Sequence, residues 1–183
     1  MIRDLIKSED PLLHKRIDSC SYNLDRQFLS RTLIDSMIHH NGIGLSANQV
    51  GLNAAVFTMG TGKDGKQWYI INPDVITVSE ECDTMEEGCL SAPGLMLKVK
   101  RPTKISVSYQ NTDGDPVLEE FDGIWARVFL HEYDHMLGQN FLQRVSIYMG
   151  QQVKTFLSSR QVKTHYPVKC HISLNFAHAA SRE

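Results

Sequence analysis

The stretch GIWARVFLHEYDHML, residues 123–137, limits what this chain can become more than any other. Wound as a helix it is apolar on nearly every face, so the rest of the chain has to wrap around it. The same stretch carries His131, Glu132 and His135. Polar groups in such surroundings are costly unless they find partners. The fold must therefore enclose one helix and still give three polar side chains something to bind. At 183 residues the chain can build one domain with a proper core, and a second of ordinary size would not fit.

Local patterning supplies the wrapping. Over residues 25–40, Leu29, Leu33 and Met37 recur every fourth position, with Asp25 placed to cap the start and Gly42 just past the end. The segment DPLLHKRI reads as an entry turn followed by a short helix or loop. AAVFTM and WYII are short apolar runs joined across GTGKDGK, and KISVSY and VLEEF repeat the pattern across NTDGDP. Helix, hairpins and a buried helix in that order predict an α+β fold rather than an alternating parallel sheet. KDGK and the acidic SEECDTMEE read as solvated loops. The last stretch, from TFLSSRQ onward, is weakly patterned and predicts no element.

Composition narrows the partners. A formal net charge of −2 and a pI near 6.4 imply no bulk attraction to nucleic acid or to an anionic membrane. No apolar run reaches the ~20 residues a membrane helix needs. The opening MIRDLIKSEDP lacks the apolar stretch of a signal peptide and is too acidic for a transit peptide. Cys20, Cys82, Cys89 and Cys170 are widely and irregularly spaced, in a chain too large to need staples. They are expected to be reduced, in a cytoplasmic setting where a thiolate is available to a metal.

On a helix, positions i and i+4 share a face, so His131 and His135 can converge on one cation. Glu132 is turned about 100° from His131, where it can reach a metal-bound water without being a ligand. Ile124 and Val128 fall on the histidine stripe, so an apolar pocket can adjoin the metal. The plainer alternative, a solvated helix face, conflicts with Trp125, Phe129 and Tyr133 beside the motif. Two histidines still leave a ligand missing. Downstream, Glu183 is terminal, and His165, His171 and His178 lack the spacing of a metal motif. Upstream, EEGCLSAPG offers Cys89, whose thiolate suits zinc or iron, although a lone cysteine is more often a small buried residue. NGIGLSANQVG offers a Gly-x-Gly turn and Gln49, an amide able to stabilise an oxyanion. A turn after a helix explains those glycines equally well.

Taken together, GIGLSANQ, EGCLS and HEYDH resemble, in order and separation, the three signature motifs of the peptide deformylases. The resemblance covers about residues 2–145 and leaves 146–183 as a tail of uncertain structure. It implies antiparallel sheets wrapped around a central metal-binding helix. It also implies removal of the N-formyl group from formylmethionine at the start of nascent polypeptides, with release of formate. By motif matching, Cys89, His131 and His135 would hold one divalent metal, Fe2+ natively, with Zn2+ or Ni2+ able to substitute. Glu132 would be the acid/base, and Gln49 with the backbone N–H of Leu90 would bind the developing oxyanion. Backbone of Ile43 and Gly44 would pair with substrate, Glu87 would be a structural and pocket residue, and the methionine side chain would lie against Ile43, Ile124 and Val128. Three positions depart from the family pattern: Met96 stands where an arginine is frequent, Leu137 where aspartate follows the helix, and Ser46 where alanine is common. The resemblance does not carry ribosome docking onto this tail. Two other readings stand beside it, a zinc endopeptidase and an inactive or metal-stabilised binding module.

Overall fold

The structure is a computed structural model and describes residues 1–20, 25–63 and 65–144. The expected tail beyond residue 145 lies outside the described residues. A short 3-10 helix (Pro11–His14), in the segment read as an entry turn and short helix or loop, precedes the first α-helix, α1 (Arg26–His39). Asp25 caps it by accepting a hydrogen bond from the Phe28 N–H at 2.9 Å, as the sequence predicts. Asn41, at φ +57°, turns the chain out of the helix, and the Gly42 N–H bonds back to the Met37 carbonyl.

Seven strands follow: β1 (Gly44–Ser46), β2 (Val56–Gly60), β3 (Gln67–Val78), β4 (Cys82–Gly88), β5 (Met96–Pro102), β6 (Lys104–Gln110) and β7 (Pro116–Asp122). Five form one antiparallel sheet in the order β1-β2-β3-β6-β7, while β4 and β5 pair as a separate ribbon. The second helix, α2 (Gly123–Met136), packs on β1, β2, β5, β6 and β7. This is the expected α+β arrangement, with antiparallel strands around the helix that carries the histidines.

Strand alternation explains where each helix sits. Along β2 and β3, Val56, Tyr69 and Ile71 turn toward Leu29, Leu33 and Met37 of α1. Their neighbours Phe57, Met59, Trp68 and Ile70 turn toward Ala126, Val128 and Phe129 of α2. The central strands are thus buried on both faces, which is why VFTMG reads as an unbroken apolar run rather than an alternating one. Farther out, β6 and β7 cover α2 with Ile105, Val107, Tyr109 and Phe121, and their other face is more open.

One expectation is corrected. The acidic segment read as a solvated loop is mostly strand β4, paired residue for residue with β5 from Cys82↔Pro102 to Gly88↔Met96. Its charge misled because the ribbon meets the rest of the protein through ion pairs as well as apolar contacts. The segment after α1, open to a turn or to a close backbone approach, turns at Asn41 and then forms β1, which pairs Leu45 with Thr58 and so ends the sheet. The aspartate expected after α2 is not needed to stop the helix. Leu137 closes it and Gly138 takes φ +69°, where a Cβ would come within 2.5 Å of the Lys15 backbone.

Candidate metal centre and its cleft

The site assembles where the end of α1, the β4–β5 ribbon and α2 meet. The Sγ of Cys89 and ring nitrogens of His131 and His135 lie within 4.8 Å of one another, a group able to hold a metal ion. Sγ of Cys89 is 3.3 Å from Nε2 of His135. The donor set fits a borderline-soft divalent cation, with one sulfur and two imidazoles and no competing lysine or arginine among them. Burial alone would raise the Cys89 thiol, but the adjacent His135 and His131 rings hold it well below the usual range. Burial alone would likewise lower His131, but its bonds to Cys89 and Glu87 raise it to about 10. A cation held by these three groups would take the place of the proton on His131 Nε2, since a ligand nitrogen has to be unprotonated.

Glu87 sets the ring of His131. Its Oε2 lies 3.0 Å from Nδ1, so the ionised carboxylate takes the Nδ1 proton as a hydrogen bond and leaves Nε2 as the ligand nitrogen. Glu87 is itself held by Arg101, whose Nε and Nη2 donate to both carboxylate oxygens at 2.7 and 2.9 Å. Arg127 adds a third donor at 2.6 Å. Burial pushes this carboxyl up, but His131 and Arg101 overcome it and bring it down to about 2. Arg101 also donates to Asp134 at 2.9 Å, and Arg127 pairs with Asp83. Arg144, in the short turn Phe141–Arg144, closes the chain over Asp134. Sequence reading missed Arg101, Arg127 and Asp134. The alternation Leu97, Val99, Arg101 puts that arginine on the buried side of β5, and this is the signal that could have found it.

Beside the cluster lies a cleft of about 440 Å³. Ile43, Gly44, Gln49, Glu87, Leu90, Ile124, Val128 and Glu132 all line it, together with Cys89 and His131. His135, 2% exposed, sits behind that wall. Every predicted site residue is therefore at one place. Ile43, Met96 and Ile124 are exposed at the mouth, so the entrance is apolar where an arginine had been the expectation for the family. Gly44 must be glycine, because a Cβ there would come within 2.5 Å of Glu132 Oε1 and 2.9 Å of Val128 Cγ1.

Gln49 is fully enclosed and its orientation is fixed. Its Oε1 accepts from the Ser46 N–H at 2.9 Å, so Nε2 faces Ser91 Oγ at 3.0 Å and Cys89 Sγ at 3.6 Å. Burial pushes the Glu132 carboxyl up, against the pull of the histidines and of the Ser46 hydroxyl. A carboxyl easier to protonate than usual, beside a metal-binding group, suits proton transfer.

Fold and site define a class: an α+β metallohydrolase, with a helix-borne His-Glu-x-x-His and a cysteine from the end of a strand at the foot of an apolar cleft. Comparison with known proteins narrows it. Residues 2–149 match the polypeptide deformylase family. The chain is 39% identical over 140 residues to the peptide deformylase of Thermotoga maritima, spanning 75% of this chain and 83% of that one. It is 34% identical over 165 residues to the chloroplastic peptide deformylase 1B of Oryza sativa, spanning 87% and 61%. Its backbone resembles the crystal structure of the Plasmodium falciparum peptide deformylase, with a TM-score of 0.82, 31% identity and coverage of 90% and 100%. The chain belongs to the polypeptide deformylase family, enzymes that remove the N-formyl group from nascent peptides.

Proposed function

We propose that Cys89, His131 and His135 hold one divalent metal, and that Glu132, Gln49 and Leu90 carry out hydrolysis of the formyl group on an N-formylmethionyl nascent chain. The observation that carries this is the convergence of the three ligand atoms within 4.8 Å, with Glu132 and Gln49 on the same cleft wall. A bound divalent cation supplies a water acidified to near neutrality and a Lewis acid for the formyl oxygen. Ferrous iron is the proposed native metal, with zinc or nickel able to replace it, since a thiolate beside two imidazoles suits all three.

The protein's own groups do the rest. Glu132 takes a proton from the attacking water and delivers it to the departing amine nitrogen, which would otherwise leave as a poor anion. Gln49 Nε2 and the Leu90 N–H meet the charge that develops on the formyl oxygen. Substrate backbone adds to β1, the end strand of the sheet. The Gly60 N–H already bonds to the Ile43 carbonyl at 3.0 Å. Antiparallel alternation then turns the Gly44 backbone groups away from β2, so Gly44 pairs with the peptide. The expectation that Ile43 backbone does so too is corrected, because its carbonyl is taken by Gly60, and Ile43 contributes its side chain. The methionine side chain rests against Ile43, Ile124 and Val128, and Glu87 holds the His131 ring from behind. Among the described residues Cys20, Cys82 and Cys89 are unpaired thiols, which supports a cytoplasmic setting. No described helix is long and apolar enough to cross a membrane.

Anaerobic purification with elemental analysis, followed by a formate assay on a formyl-Met-Ala peptide, tests the proposal. Iron should accompany the protein at about one per chain, and formate should appear while internal peptide bonds survive. Cleavage of casein without formate would establish the endopeptidase alternative instead. A metal-loaded protein that does neither would be a binding module.

A further inference from the structure

We infer that Ser46 is a positioning residue that aims both proton-transfer and oxyanion groups at once, its hydroxyl holding Glu132 and its backbone N–H holding Gln49. The inference rests on the roles proposed above for those two side chains. Ser46 is wholly buried at the end of β1, where it pairs with Phe57, so its backbone is fixed by the sheet. Its position follows from the alternation that exposes Gly44. Two residues along, the Ser46 N–H also points away from β2, and Gln49 Oε1 accepts it at 2.9 Å.

An amide has one acceptor end and one donor end. Securing Oε1 on a backbone N–H therefore forces Nε2 toward Ser91, Cys89 and the cleft, with no freedom to flip. The hydroxyl settles the second side chain. Oγ donates to Glu132 Oε2 and lies 3.3 Å from the Glu132 carbonyl. With one proton to give, the hydroxyl favours the carboxylate, the stronger acceptor. That leaves Oε1 as the working oxygen, over the Cα of Gly44 and facing the space where Gly44 pairs with substrate. Glu132 is 4% exposed, and Ser46 is the donor that ties its carboxylate down among the described residues. Two catalytic groups from different elements, the Ala47–Val50 turn and α2, thus take their aim from a single strand residue.

Ser46→Ala keeps the N–H that holds Gln49 Oε1 and removes the hydroxyl, which holds Glu132 and also caps the Gln49 backbone N–H. The double-mutant comparison with Glu132→Ala is therefore what isolates the Glu132 half. A misaimed group of this kind costs roughly tenfold to a hundredfold in rate. The expected result for Ser46→Ala is a kcat for formate release lowered by about that factor, with KM within about twofold and metal content unchanged. Thermal unfolding of the metal-free protein gives a second readout. Ser46→Ala should lower the midpoint by about 3 °C or more in the wild-type background and by much less in Glu132→Ala, because its partner is already gone. A kcat within twofold of wild type overturns the inference. So does an equal midpoint shift in both backgrounds, which is what simple packing would give. Loss of metal, or a rise in KM without a fall in kcat, also overturns it. Full activity in Glu132→Gln would instead defeat the proposed role of Glu132, while the unfolding cycle would still judge the contact.

Discussion

Cys89 faces the strictest chemical demand in the molecule, because replacing its sulfur by oxygen changes geometry little and ligand strength greatly. In Cys89→Ser the anionic donor becomes a neutral hydroxyl, so purified protein should carry well under half the metal of wild type by elemental analysis. Unchanged stoichiometry would remove this residue from the ligand set. Gln49→Ala acts at a later stage. It leaves the three ligands in place but takes away a fixed donor, so kcat should fall by roughly 10²–10³ with metal content retained. At this scale the letters were informative where chemistry demands a particular atom. The i, i+4 histidines, the glutamate between them and the cysteine in EGCLS all sit where the sequence places them. Ser46 was seen only as a small residue, because nothing local shows that its hydroxyl meets a side chain 86 positions away.

The same limit governs the elements. Those fixed by short-range rules were legible: α1 by its apolar spacing and Asp25 cap, the β2–β3 hairpin by its turn cluster, α2 by its apolar faces. Strand β4 was not, because its acidic residues look solvated until their partners on β5 and α2 are known. Arg101 is the centre of that arrangement, 4% exposed and bonded to both Glu87 and Asp134. Removing one member of a buried ion cluster leaves the others charged and unpaired, at a cost of about 3–5 kcal/mol. Arg101→Met should therefore unfold at markedly lower denaturant, and should weaken metal retention as well, since Glu87 loses the arginine that fixes it under His131. A variant that matched wild type on both measurements would mean that the ribbon is held by its apolar contacts alone. Leu95, Leu97, Val99 and Phe141 are what would then have to hold it.

Across the whole molecule the sheet separates two cores, and each contains a tyrosine able to report on it. Tyr69 lies in the core under α1 and Tyr109 in the core under α2. Burial, with the neighbouring Cys20 and Asp25 charges, pushes the Tyr69 phenol far above its ordinary value; burial and the 2.6 Å bond to Glu119 do the same for Tyr109. In the unfolded chain both phenols ionise near pH 10. Above that pH the native state therefore binds more protons than the unfolded state, and stability must fall as pH rises. These contributions are complete below about pH 10 and are lost as the pH climbs toward the native values. In an alkaline titration, the phenolate absorbance of Tyr69 and Tyr109, resolved by Tyr→Phe variants, should lag that of a free phenol. It should then appear together with loss of the far-ultraviolet dichroism. The two should move as one, because β2 and β3 give alternate residues to both cores and neither core can open while those strands stay paired. If Tyr69 ionised well before Tyr109, the layer under α1 would be opening alone. Ser46 and Gln49 lie between that layer and α2, so the cleft would then lose its oxyanion wall before its metal ligands.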